Sequence, residues 1–219
     1  MSAFYRASYA VGFHPWEDMA DHRPFADTLL ALIEDEEQGR KPPYGKALDL
    51  GCGSATWGVR LAARGWSVTG VDNVARALRR AQDRVRQTGV EMRLVRGDVT
   101  RLRESGVGTG YDLVLDTGTF HGLTPAQRLD MGREVTAIAS PDATMVLDCF
   151  APRRRGPLPR GCTQADVEAA FPGWAVTDVA DADTNPDPIA RAFRFDEVFY
   201  RLRRGGPSEI THSDVGDDG

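Results

Sequence analysis

The chain has almost no lysine. Among its 27 basic residues only Lys41 and Lys46 are not arginine, a bias of codons in a GC-rich genome rather than of chemistry. It is poor in cysteine: Cys52, Cys149 and Cys162 form no C-x-x-C pair, which excludes a zinc cluster of the usual spacing and leaves reduced thiols as the expectation. It has no excess of positive charge. A net charge of −5 and a pI near 5.4 exclude a nucleic-acid binder held by a diffuse basic surface, so no nucleic-acid partner is expected. No apolar run is long enough to span a bilayer, and no signal-peptide core follows Met1–Arg6. No membrane partner is therefore expected, and the location expected is cytoplasmic. There is no internal repeat, and nothing in the sequence reads out an oligomeric state.

What is present is one α/β domain's worth of alternating elements, with 41% hydrophobic residues over 219 positions. Leu29, Leu30, Leu32 and Ile33 at helical spacing predict a helix over 25–37, stopped by Gly39 and Pro42-Pro43. Strands are predicted at 46–50, 67–71, 91–96, 111–116, 144–150, 174–179 and 193–201. Helices are predicted at 55–64, 74–87, 125–139 and 163–171. Such alternation builds a doubly wound, Rossmann-like parallel sheet, and the last two strands, with no helix between them, should pair antiparallel. The expected organisation is an N-terminal segment over 1–24, the domain over 25–204 and a mobile tail over 205–219.

The most informative stretch is Ala47-Leu48-Asp49-Leu50-Gly51-Cys52-Gly53-Ser54-Ala55-Thr56, followed by Val68-Thr69-Gly70-Val71-Asp72. A glycine turn lets a ligand approach the backbone, and an acid about 20 residues on can hold a ribose diol. Asp49 would repel a pyrophosphate but would favour a ligand with positive centres. Thr56 stands where a dinucleotide site has its third glycine. These residues resemble motif I and the following acid of class I S-adenosylmethionine (SAM)-dependent methyltransferases. The resemblance is most specific over 46–98 and extends to about 150. It implies that the backbone at Gly51 and Gly53 cradles the methionine portion, with Asp49 near its amino group. It also implies that Asp72 with Asn73 holds the ribose, and that Asp98 and the Val99 N–H meet the adenine.

Ligands of open α/β sheets bind outside the carboxyl ends of the strands. There the fourth strand ends in Asp116-Thr117-Gly118-Thr119-Phe120-His121. In the resembling family this end places the acceptor beside the methyl group. Asp116 is then nearest the sulfonium, with Phe120 and His121 toward the acceptor. His121 is either a base or an orienting contact. The aromatics Tyr5, Tyr9, Phe13, Trp16 and Phe25 predict a lid; Gly12-Phe13-His14-Pro15-Trp16-Glu17 resembles a G-x-x-P-W-D/E element in which the tryptophan borders the SAM pocket. Arg153-Arg154-Arg155 predicts a basic loop beside the site.

Tyr5, Tyr9, Phe120 and His121 are thus the expected acceptor contacts. The resemblance is to bacterial small-molecule methyltransferases acting on fatty acids, quinols or thiopurine-like compounds. It implies SAM as cofactor, S-adenosylhomocysteine as product and no metal. The acceptor expected is a lipophilic carboxylic acid such as a fatty acid. The alternatives are a phenol or quinol with His121 as base, and a SAM-binding sensor that transfers nothing.

Overall fold

A computed structural model describes residues 23–152, 161–182 and 197–205. In order come α1 (Arg23–Glu37), β1 (Gly45–Leu50), α2 (Thr56–Arg64), β2 (Trp66–Asp72), α3 (Ala75–Thr88), β3 (Met92–Arg96) and β4 (Tyr111–Thr117). A 3-10 turn (Phe120–Gly122), α4 (Pro125–Ile138), β5 (Ala139–Phe150), α5 (Gln164–Ala170), β6 (Trp174–Ala182) and β7 (Glu197–Arg204) follow. The described strands form one seven-stranded sheet in the order β3-β2-β1-β4-β5-β7-β6. Pairing is parallel except for β7, which runs antiparallel to both β5 and β6. This is the Rossmann-like, doubly wound architecture expected, with an antiparallel closing hairpin. The order reverses between β1 and β4, which places the switch point at the glycine turn. Among the described residues no helix is long and apolar enough to cross a membrane.

Side-chain alternation along the strands supplies two cores. Leu48, Leu50, Val114, Met145, Leu147 and Leu202 face α4, α5 and the 99–107 segment. Ala47, Leu113, Leu115, Val146 and Phe199 face α1 and α2; Phe25, expected in the lid, is instead a core residue of α1, its ring 5.0 Å from Phe199. Helix α1 is fastened to the sheet at two places. Glu37 accepts from Arg64 and from the Trp66 indole, and Glu36 accepts from Thr144 and Arg201. Helix α4 begins on a Thr124–Gln127 capping box with Pro125 in its first turn.

Gly132 on α4 lets α5 approach so closely that a Cβ there would lie 1.7 Å from the Ala170 carbonyl oxygen. Gly132→Ala is therefore expected to destabilise the fold by roughly 1–3 kcal/mol despite alanine's better helix propensity. Thermal unfolding followed by circular dichroism should show a drop of several degrees in Tm. An unchanged Tm would mean that the two helices can separate at no cost.

The thiols differ from expectation. Cys149 and Cys162 form a disulfide, with Cα atoms 6.2 Å apart, and Cys52 is free and buried. Their spacing carries no motif. They meet because the Cys162 N–H donates to the Phe150 carbonyl, laying the segment before α5 along the end of β5.

Candidate functional site

The glycine turn between β1 and α2 is built from three left-handed residues, Gly51, Gly53 and Ala55, the last a rare conformation for a residue with a Cβ. Gly51 is required by contact: a Cβ there would sit 1.9 Å from Thr119 Oγ1, whose hydroxyl donates to the Leu50 carbonyl at 3.1 Å. The turn is tied to β2, since the Cys52 N–H donates to the Val71 carbonyl and the Gly53 N–H to Asp72 Oδ2, each at 3.0 Å.

Asp72 also accepts from the Val74 N–H at 2.7 Å, so its carboxylate organises the rim of the turn. Burial raises its pKa, against the pull of those peptide donors. Beside it, Asn73 presents a buried Oδ1 with no hydrogen-bond partner. Asp98 accepts from the peptide N–H and hydroxyl of Thr100, the local turn its type favours, and next to it Val99 is buried.

Asp49 is the outlier. It is 1% exposed and neither oxygen has a hydrogen-bond partner. Burial, then the charges of Asp116 and Asp72, push its pKa up to about 7, although the Gly58 peptide N–H lies close enough to draw it part of the way down. Burying an unpartnered carboxylate is costly unless a cation arrives to pair with it.

At the end of β4, Asp116 is fully buried and accepts from the Thr119 and Phe120 N–H groups at 2.6 and 3.0 Å, capping the 3-10 turn. Burial pushes its pKa up to about 7. The Phe120 ring lies in the core, 5.8 Å from Phe171 and under the Arg128 guanidinium. His121 is buried, stacks on Phe150 at 4.3 Å, and accepts the Phe150 N–H on Nδ1 at 3.2 Å.

The geometry therefore brings Asp49, Gly51, Gly53, Asp72, Asn73, Asp116 and His121 to the carboxyl edge of the sheet, with Asp98 and Val99 following β3. Tyr5, Tyr9 and Trp16, with the rest of 1–22 and the Arg153–Arg155 loop, lie outside the described residues, as do 206–219 of the expected tail.

Three participants escaped the sequence reading. Asp148 on β5 stands beside Thr117 of β4, is 3% exposed and has an unpartnered Oδ1. Glu197 of β7, on the same sheet face, is also buried. Burial raises both, Glu197 to about 8, and the charges of Glu197 and Asp116 push Asp148 further the same way. The third is Arg128 on α4, which donates to the Phe120, His121 and Gly161 carbonyls. Asp148 did leave a signal, because Leu-Asp recurs at Leu48-Asp49, Leu115-Asp116 and Leu147-Asp148, each time an acid inside an apolar strand. Glu197 and Arg128 left none.

Residues 47–142 match a protein family described as a methyltransferase domain. Over 93 residues the chain is 34% identical to the ribosomal RNA small subunit methyltransferase C of Alcanivorax borkumensis, covering 42% of this chain and 26% of that protein. Over 164 residues it is 29% identical to the 2-heptyl-1-hydroxyquinolin-4(1H)-one methyltransferase of Mycobacteroides abscessus, covering 70% of this chain and 67% of that protein. The chain thus spans about a quarter of the first relative and two thirds of the second. Among solved structures it is similar to the 1,6-didemethyltoxoflavin-N1-methyltransferase of Burkholderia thailandensis, bound to 1,6-didemethyltoxoflavin and S-adenosylhomocysteine. That likeness has a TM-score of 0.70 and 21% identity, and covers 93% of this chain and 87% of that one.

Proposed function

We propose that this chain, whose residues 47–142 match a methyltransferase-domain family, transfers a methyl group from SAM to an oxygen of a small lipophilic acceptor. The observation that carries the cofactor is Asp49: a carboxylate buried at the glycine turn without a hydrogen-bond partner suits the ammonium of SAM. SAM supplies a methyl group already activated on a sulfonium, so alignment provides much of the rate. Gly51 and Gly53 leave the backbone open to the methionine portion. Asp72 and Asn73 take the ribose hydroxyls, while Asp98 and the Val99 N–H take the adenine. Asp116 acts through the backbone, holding the turn that presents His121, and Phe120 anchors that turn in the core. Tyr5 and Tyr9 are assigned to the acceptor and Trp16 to the SAM pocket from the sequence resemblance, all three lying outside the described residues.

A small acceptor is supported by the hydroxyquinolone and didemethyltoxoflavin relatives, whose names specify small heteroaromatic molecules. The ribosomal RNA relative shares only a domain-sized stretch with this chain. The acceptor oxygen is that of a carboxylic acid such as a fatty acid. A second reading, a hydroxyl on an aromatic ring, is favoured by the hydroxyquinolone relative. Incubation with labelled SAM and a panel of acids, phenols, thiols and amines, read by mass spectrometry, tests both. Tight SAM binding with no methylated product from any class would favour a SAM-binding sensor instead.

Asp72→Ala is expected to weaken SAM about 10-fold or more, from loss of charge-assisted bonds of order 1.5–3 kcal/mol. Calorimetry on the folded variant decides the assignment, and an unchanged dissociation constant would remove Asp72 from the ribose.

A further inference from the structure

We propose that Asp148 and Glu197 form a binding site for a protonated nitrogen of the acceptor, so that the molecule methylated carries an amine besides the oxygen that receives the methyl group. The inference rests on the methyl-transfer reading above and narrows the acceptor within it.

Strand register puts both acids at the rim where the acceptor is expected. Asp148 pairs with Thr117, the last residue of β4, on one side and with Phe199 of β7 on the other. Glu197 is the first residue of β7 and pairs with Phe150, the last residue of β5. Side chains alternate along a strand and paired residues share a face, so Thr117, Asp148, Phe199 and Glu197 all lie on the face that α1 and α2 cover. Asp148 and Glu197 are therefore diagonal neighbours at the carboxyl edge. Thr117 and Gly118 beside them are half-buried, which leaves this rim open to the crevice.

What surrounds the two acids is apolar or already engaged. Phe199 is fully buried, and Ala182, which pairs with Glu197, is buried too. Arg201, the nearest cation on the same face of β7, is taken by Glu36 and Asp35 of α1, and Arg203 also reaches Glu36. Asp116 has both oxygens occupied by peptide donors. Asp148 Oδ1 is left buried with no hydrogen-bond partner.

The ammonium of SAM does not serve this site. Asp49 stands two strands away on β1, level with Val146 rather than Asp148. That is about 10 Å across the sheet and about 7 Å along it. A second cation answers the second unpartnered carboxyl. Burial disfavours both anions in the ligand-free protein, and the charge of Glu197 disfavours that of Asp148 further. An ammonium group has three donors and no acceptor, so it can meet both carboxyls at once and relieve that repulsion. A carboxylate or phenolate placed here would be repelled, so the oxygen to be methylated lies elsewhere on the same molecule.

Calorimetry on the full chain saturated with S-adenosylhomocysteine tests the site without turnover. It compares ω-aminododecanoic acid with dodecanoic acid, and tyramine with para-ethylphenol, pairs that differ by one amine. In at least one pair the aminated member should bind about tenfold more tightly or better. Asp148→Asn and Glu197→Gln should each bring that pair within about threefold, while affinity for S-adenosylhomocysteine, the check that the variant is folded, stays within about threefold of wild type. Plain members bound as tightly as aminated ones, or none of the four bound, would overturn the proposal from the wild type alone. A preference that persists in both variants would overturn it as well, by placing the amine elsewhere. Labelled SAM with the same four compounds judges the transfer reading separately. Amine preference without methylated product would keep the cation site and remove methyl transfer, whereas methylated product without the preference would keep the transfer and remove the site.

Discussion

Asp49→Asn is expected to weaken SAM by roughly 10- to 100-fold, and at the same time to make the ligand-free protein more stable above pH 7. The opposed signs share one cause. The Asp49 pKa lies at about 7 in the fold against 3.8 as its ordinary value, because burial and the charges of Asp116 and Asp72 disfavour its anion. A carboxyl with a raised folded pKa contributes stability that is fully present below about pH 4 and is lost as pH rises through about 7. The ligand-free fold should therefore melt at progressively lower temperature between these limits. The asparagine variant, with nothing to ionise at this position, should lose less, keeping only the loss due to the other buried acids Asp72, Asp116, Asp148 and Glu197.

A bound cation reverses the balance. SAM pairs with the ionised form, so wild-type affinity should rise about tenfold from pH 6 to pH 8, as the ionised fraction climbs from roughly a tenth to nine tenths. Protons should be released on binding near pH 7. Calorimetry in two buffers of different ionisation enthalpy measures that release. A pH-independent affinity in the wild type, or equal affinity in the variant, would remove Asp49 from the ammonium site.

The second large effect is expected at Arg128. Arg128→Met keeps much of the apolar stem but removes the guanidinium that donates to the carbonyls of Phe120, His121 and Gly161 and pairs with the exposed Asp166 at 3.6 Å, although Phe120 keeps its bond from the Leu123 N–H. A buried carbonyl left unpaired costs about 1–3 kcal/mol and an ion pair to an exposed carboxylate at most about 1 kcal/mol, so a loss of roughly 2–4 kcal/mol is expected. Urea unfolding should show it as a lower midpoint at constant slope. Arg128→Lys keeps the charge but not the planar fork and should recover only part of the loss. Because these carbonyls belong to the His121 turn and to the segment before α5, acceptor KM should rise more than the SAM dissociation constant. The reverse pattern would place Arg128's influence at the cofactor rather than the acceptor.

The elements were legible where their causes are local. Val68–Val71 and Leu113–Leu115 announce strands through short apolar runs, and Gly65 and Gly89 stop α2 and α3 in left-handed caps within one or two residues of the predicted ends. Strand β6 runs on to Ala182, further than its own pattern indicated, because Ala182 pairs with Glu197 of β7 and is buried there. The glycine turn was legible for the same local reason. Its φ values, its tie to Asp72 and its place between β1 and α2 all follow from residues within 22 positions of one another.

By itself the sequence determined the alternating α/β order, the doubly wound class, the glycine turn and the acids that end the strands, because period, turn chemistry and propensity act over a few residues. Only the tertiary structure decided which groups meet at the carboxyl edge. The Phe150 N–H reaches His121 across 29 positions, Arg128 reaches Gly161 across 33, and Cys149 pairs with Cys162 in a disulfide where reduced thiols were expected. Asp148 and Glu197 become a buried carboxyl pair only once β7 inserts beside β5. A tautomer, a shifted pKa or a disulfide depends on what stands opposite a side chain, and that is set by the sheet order and the packing of helices upon it, which no local pattern encodes.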